Sequence, residues 1–296
     1  MPMTPAFDRF IDPARRRTAL WRIVLGLLVV GLTMVLWFVL MVAGVWLAGG
    51  VTLLQELLPE LSEANTARGT LLLLGTFGGM ALGTVLAARW LQRRGVATLF
   101  GPRHTFLRGF LWGAGAIAAV VFVSTVFLES VGPQPVPNLS PGLWLALLAP
   151  ALILILIQTG AEEMLFRGYL MQQVAARAPV AAIYIIVPAV LFGVLHYDPV
   201  SGGDNAWLIV GSATLFGLVA GDLTRVTGNL GVAWGLHFAN NVVAMLLIGT
   251  TGTITGLALY VTPYEASNAA ALQPLILLDG AILIAVWAVL RWRLKP

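Results

Sequence analysis

Long apolar runs broken by short polar stretches dominate this chain, and windows of about 20 apolar residues divide it into about eight spans, at roughly 23–48, 69–88, 109–128, 143–161, 180–196, 206–224, 229–249 and 274–290. The fifth and eighth are short, and the fourth has ill-defined ends. The pattern predicts an all-α, polytopic membrane protein. Residues 1–22 form an Arg-rich lead-in that reads either as an interfacial amphipathic segment carrying Phe7, Phe10 and Trp21 or as a disordered cytoplasmic tail. Spans 1–3 occupy 23–131. Residues 132–142, with Pro133, Pro135, Pro137 and Pro141, read as an exposed loop that cannot be helical. A core at 143–290 and a short tail at 291–296 follow. Small residues at four-residue spacing, Gly75/Gly79/Gly83, Gly109/Gly113 and Gly217/Gly221, predict close helix packing rather than chemistry.

Composition agrees: 59% of residues are hydrophobic, 10% are charged and the mean hydropathy is +0.90, against about 25% charged in soluble domains. With a cytoplasmic N-terminus, all of the 17 Lys and Arg residues except Arg68 fall on the cytoplasmic side or its membrane edge. Arg15, Arg16, Arg17 and Arg22 precede span 1; Arg89, Arg93, Arg94, Arg103 and Arg108 separate spans 2 and 3; Arg167 and Arg177 follow span 4; Arg291, Arg293 and Lys295 close the chain. Glu56, Glu60, Glu63, Glu129, Asp198, Asp204 and Glu265 fall outside instead. Both termini are expected inside, in a cell (inner) membrane. The pI near 10.0 therefore reflects topology, and nucleic acid is not an expected partner. The absence of cysteine excludes disulfides, a thiol nucleophile and Cys-ligated zinc. The first apolar run, of about 26 residues, is too long for a cleaved signal peptide.

Three polar clusters interrupt the apolar spans: Glu162-Glu163-x-x-x-Arg167, Phe192-x-x-x-His196 and His237-x-x-x-Asn241. An ionisable group inside a membrane costs several kcal/mol unless paired or hydrated, so each cluster is a candidate functional site. Taken singly, each has a structural explanation as an interhelical hydrogen bond or an ion pair. Together, two carboxylates, two imidazoles and an amide are the parts needed to activate water and hold an oxyanion. Glu163 and Arg167, at i and i+4, share a helix face and can pair, whereas Glu162, about 100° away, is free to meet another helix. Glu162 is thus the better general base and Glu163 the better structural anchor. An imidazole and a carboxamide converging from His237 and Asn241 make an oxyanion site, and His196 could help Glu162 orient water. Gln158 and Thr159, one turn earlier, could add hydrogen bonds.

In their order, these motifs resemble the CAAX prenyl protease and bacteriocin-processing (Abi, or CPBP) family of intramembrane proteases, over about 80 residues from Glu162 to Asn241. The continuation Arg167-Gly168-Tyr169-Leu170 is similar too. The resemblance implies peptide-bond hydrolysis in a membrane cavity, with Glu162 and His196 activating water, His237 and Asn241 holding the oxyanion, and Glu163 with Arg167 bracing the first helix beside Phe192. Family members have been called metalloproteases, and Glu162, His196 and His237 could ligate zinc. Asn241 is a better oxyanion donor than zinc ligand, which favours a metal-free reading with zinc as the alternative. The substrate would be a membrane-associated or lipidated protein or peptide. Other readings of the same residues are a proton-coupled transporter or channel, or a non-catalytic membrane scaffold.

Straight, short spans would leave Glu162 and His196 about 20 Å apart along the membrane normal. That conflict eases if the fourth helix runs to about residue 177 and Pro188 bends the fifth. Among the remaining polar residues, Asp279 can pair or line a cavity, Asp222 and Arg225 read as a local ion pair, and His104 reads as solvated.

Overall fold

The computed structural model describes residues 3–128 and 134–294. Glu129, Pro133 and Lys295, named above, lie outside the described residues.

The chain opens with α1 (Pro5–Arg15), whose side chains segregate strongly to two faces. Thr4 caps it by accepting from Phe7 N at 3.2 Å, and Thr4 Oγ1 also donates to Arg225 O at 2.7 Å. Phe7, Phe10 and Ile11 are buried inside the protein, with the Phe7 ring stacked on Tyr184 at 5.1 Å. The lead-in is thus an amphipathic helix rather than a disordered tail, but it spends its apolar face on the protein core, and Trp21 alone of the three aromatics stays exposed.

Next comes α2 (Leu20–Glu63), which continues well past the expected end of span 1 after a break at Gly50, where φ is +67°. Only a residue without Cβ adopts that backbone readily. Helices α3 (Ala67–Trp90), the single turn α4 (Ala97–Phe100) and α5 (Arg103–Leu128) follow. The proline-rich linker carries a short strand, β1 (Val136–Pro137). Beyond it, α6 (Pro141–Glu163), a π-helical segment (Met164–Met171) and α7 (Gln172–Arg177) form one continuous 37-residue helix. The expected long fourth helix is therefore present.

A three-residue turn reverses the chain into α8 (Ala181–Val194), and α9 (Pro199–Gly202) leads to α10 (Ala206–Thr227). Helix α11 (Gly231–Val242) also passes into π-helix (Val243–Leu247), then into β2 (Ile248–Thr251), β3 (Tyr260–Glu265) and α12 (Ala269–Arg293). Among the described residues six helices are long and apolar enough to cross a membrane, and Ala181–Val194 and Gly231–Leu247 are shorter apolar helices at the two remaining expected spans. The architecture is an all-α polytopic membrane fold.

One addition escaped the sequence pattern. Strand β3 pairs antiparallel with β1 and parallel with β2, in the order β1-β3-β2. Asn138 Nδ2 donates to Thr255 O and Ala258 O, which ties the linker to the β2–β3 loop.

Glycines set the helix spacing as expected. A Cβ at Gly113 on α5 would lie 2.2 Å from Val232 O, and one at Gly235 on α11 would lie 2.1 Å from Phe110 O. The two backbones therefore touch, which presses the His237 helix firmly against α5.

Candidate active site

Glu162 lies fifteen residues before Arg177, about 20 Å of helix from the α7–α8 turn, and Phe192 and His196 stand eleven and fifteen residues after Ala181, near the far end of α8 and just beyond it. Both motifs therefore reach the same level, and the mismatch expected for short spans does not arise. Glu162 and Glu163 occupy the last α-helical turn of α6, and Arg167 sits in the π segment that follows. π-helical turns widen the spacing of side chains and recur at functional sites. His237 and Asn241 both lie in α11, ahead of the second π segment.

Arg167 Nη1 donates to Glu163 Oε1 at 2.9 Å, as the i,i+4 spacing predicts, with side chains 1% and 0% exposed. His237 Nδ1 donates to the same oxygen at 2.9 Å, and its Nε2 lies 3.3 Å from Glu162 Oε2. One imidazole thus bridges both carboxylates. With Nδ1 engaged by the Glu163 carboxylate, Nε2 is the ring nitrogen left to face Glu162, which it does without an aligned hydrogen bond. Glu162 Oε2, Glu163 Oε2 and Arg167 Nη2 are enclosed and make no hydrogen bond among the described residues.

Aromatic rings wall this charge cluster. The Arg167 guanidinium lies 4.8 Å from the Phe192 centroid and 5.6 Å from that of Phe216. The His237 ring lies 4.9 Å from Phe216 and 5.9 Å from Phe192. Such walls keep the surroundings weakly polarisable and strengthen each interaction inside them. Phe192 was singled out by its motif. Phe216 was not, because a phenylalanine on an apolar helix carries no signal of its own.

Asn241 Nδ2 donates to Gln158 Oε1 at 2.9 Å, and Trp234 Nε1 donates to Thr159 Oγ1 at 3.0 Å. With His237 on the glutamates, these bonds tie α6 to α11 at three places. Of the two residues expected to lend hydrogen bonds to the cluster, Gln158 does so through Asn241, whereas Thr159 bonds Trp234 and the backbone of its own helix.

His196 stands apart. It follows the end of α8, is exposed, and its Nδ1 donates to Phe192 O at 2.8 Å. Its ring lies 4.6 Å from Phe192, and no hydrogen bond joins it to Glu162. The zinc set of Glu162, His196 and His237 is accordingly not assembled: only the first and third touch, and among the described residues no group of three or more His, Asp or Glu side chains is arranged to hold a metal ion. As placed, these residues do not fit a three-ligand zinc site.

The other polar residues divide as follows. Asp222 pairs with Arg225 at 2.8 Å, as expected, and also with Arg291 at 3.2 Å while accepting from Trp287 Nε1 at 3.0 Å. It therefore pins α10 to α12. Asp279 is exposed on α12, and His104 is exposed at the start of α5.

Comparison with known proteins bears on the segment that holds the cluster. Residues 141–243, which include all three motifs, match the family described as type II CAAX prenyl endopeptidase Rce1-like. Over 182 residues the chain is 31% identical to uncharacterized protein YyaK of Bacillus subtilis (strain 168). That match covers 59% of this chain and 59% of the relative's length. No solved structure matches the chain.

Proposed function

With the Rce1-like character of residues 141–243 as the premise, we propose that this integral membrane protein is an endopeptidase that hydrolyses a peptide bond of a membrane-associated or lipidated protein or peptide. The observation that carries the reading is the His237 bridge between Glu162 and the buried Glu163–Arg167 pair. A structural ion pair needs one carboxylate and one cation. The second carboxylate and the imidazole are surplus to packing and suited to moving a proton.

In this mechanism Glu162 takes a proton from water as the hydroxide adds to the scissile carbonyl carbon. Glu163, held by Arg167, fixes the His237 ring through Nδ1, so that Nε2–H is aimed at the developing oxyanion. Asn241 adds a second donor, since a carboxamide has two N–H groups and Gln158 occupies one. The Glu162 carboxyl then returns its proton to the leaving amine as the C–N bond breaks, which leaves a carboxylic acid product, a free amine and the Glu162 carboxylate restored. His196, outside the hydrogen-bonded cluster, would act at its rim on incoming substrate. We place both termini in the cytoplasm, in a cell membrane.

Membrane proteomics of cells carrying the wild type or Glu162→Gln tests the reading. A fragment that appears only with the wild type is the expected result, and identical peptide sets would overturn it. A proton-coupled transporter or channel would draw on the same glutamates and histidine, and proton flux in proteoliposomes that ceases in Glu162→Gln would favour that class instead.

A further inference from the structure

The turn between α3 and α4 runs Leu91-Gln92-Arg93-Arg94-Gly95-Val96, a stretch whose charges read as a solvated cytoplasmic loop. Its residues do not behave alike. Arg93 adopts φ +50° and is exposed, whereas Gln92 and Arg94 turn inward and are 2% and 6% exposed. A left-handed backbone at a non-glycine residue is uncommon and marks a turn held by its surroundings.

No carboxylate pairs with Arg94 among the described residues. Its Nη1 donates to Gln172 Oε1, its Nη2 donates to Gly168 O at 3.1 Å, and the guanidinium carbon lies 5.7 Å from the Tyr169 ring centroid. Burial without an acid pushes the guanidinium down to about 10, so it remains charged at neutral pH. An unpaired buried cation is costly, and surface solvation would have been cheaper had the residue served only topology.

What Arg94 touches explains the burial. Gly168 lies in the π segment, where the change of winding disturbs the i→i+4 pattern of carbonyl acceptors. Arg94 gives that carbonyl a charged donor. Gln172, whose side-chain oxygen it also holds, donates through Nε2 to Thr98 O at 2.9 Å. Helix α4 carries Thr98, and Phe100 O at its end accepts from Leu230 N at 3.0 Å, immediately before α11 begins. Gly168 makes this approach possible, because a Cβ there would lie 2.8 Å from Leu99 O. A single run of bonds therefore joins the helix bearing Glu163 and Arg167 to the start of the helix bearing His237.

We infer that Arg94 is a positioning residue for the active site: it holds the π-helical register of Met164–Met171 and, through Gln172 and α4, the level of α11, so that His237 meets both glutamates. It touches no reacting group. The kinetic arm of its test rests on the protease reading above, whereas the spectroscopic arm does not.

The chain has three histidines, so full-length protein labelled with 15N-histidine in lipid nanodiscs yields a simple imidazole spectrum, with His237 assigned through His237→Ala. In Arg94→Met the His237 Nδ1 proton is expected to exchange about tenfold faster, as loss of a charge-assisted hydrogen bond favours local opening. His104 and His196 should stay unchanged. Arg94→Lys, which can serve one of the two acceptors, should fall between. An unchanged His237, or a uniform loosening of all three imidazoles, would overturn the inference. If Arg94→Met does not accumulate as folded protein, Gln172→Met decides by the same criteria, since it removes the link to α4 and leaves the backbone intact. With a cleavable substrate, Arg94→Met is expected to lower kcat about tenfold with KM unchanged. A wild type without peptidase activity would strike the protease reading alone and leave the His237 spectrum to decide this one.

Discussion

Replacing Arg167 by methionine removes the one Arg or Lys that touches Glu163 among the described residues while keeping much of the side-chain volume. Arg167 and Glu163 are 1% and 0% exposed, so the remaining carboxylate cannot recruit solvent. Breaking a buried pair from one side costs about 3–5 kcal/mol, a large share of a typical total of about 5–15 kcal/mol. Contacts of the guanidinium with Phe192 and Phe216 enter this loss rather than adding to it in full. The double variant Glu163→Gln/Arg167→Met removes both charges, and its glutamine oxygen can still accept from His237 Nδ1. It should recover at least about 2 kcal/mol of the loss, because replacing both members of a buried pair is often close to neutral. Glu162→Gln, by contrast, perturbs a 3.3 Å contact that is not aligned as a hydrogen bond, and should change stability by no more than about 1 kcal/mol while abolishing turnover. Equilibrium unfolding of the four purified proteins in mixed micelles measures all of these. If Arg167→Met is as stable as the wild type, or the double variant as unstable as the single, Glu163 does not depend on Arg167 for its burial and the division between anchor and base fails.

Two further outcomes follow from particular contacts. A Cβ at Gly26 would lie 2.0 Å from the Tyr169 hydroxyl, which donates to Arg22 O and accepts from Gln92 Nε2. Gly26→Ala should therefore destabilise by about 1–3 kcal/mol, and adding Tyr169→Phe should return part of that; strictly additive effects in thermal melts would show that the two residues do not compete for space. Reporter fusions at residue 296 and in the loop near residue 135 should report opposite sides of the membrane, with the C-terminus cytoplasmic. The same side for both would mean that the number of crossings is wrong.

Hydropathy alone determined the membrane class and the eight apolar elements, because burying a backbone in lipid forces helices of a set length. Local spacing was equally decisive where partners lie on one helix: Glu163 and Arg167 at i,i+4 had to share a face, and Asp222 and Arg225 had little choice but to meet. Motif order also singled out Glu162, Glu163, Arg167, Phe192, His237 and Asn241 before any coordinates, together with His196, which lies outside the hydrogen-bonded cluster.

Which imidazole meets the glutamates was a different matter. Spacing states which side chains share a face, but not how each helix is rotated about its axis or how deep it sits. Those quantities came from glycine contacts between α5 and α11, from two π segments that break the regular winding, and from a turn at Leu230 anchored to Phe100. The outcome is that His237 bridges Glu162 and Glu163, while His196 turns to its own backbone. Charge runs misled for the same reason. Arg93 and Arg94 look identical in sequence, yet one is solvated and the other is buried under the π segment; likewise the Arg-rich lead-in folds back to bury Phe7 and Phe10. A residue's own chemistry sets the cost of burying it, but only the surrounding helices decide whether a partner waits there to offset that cost.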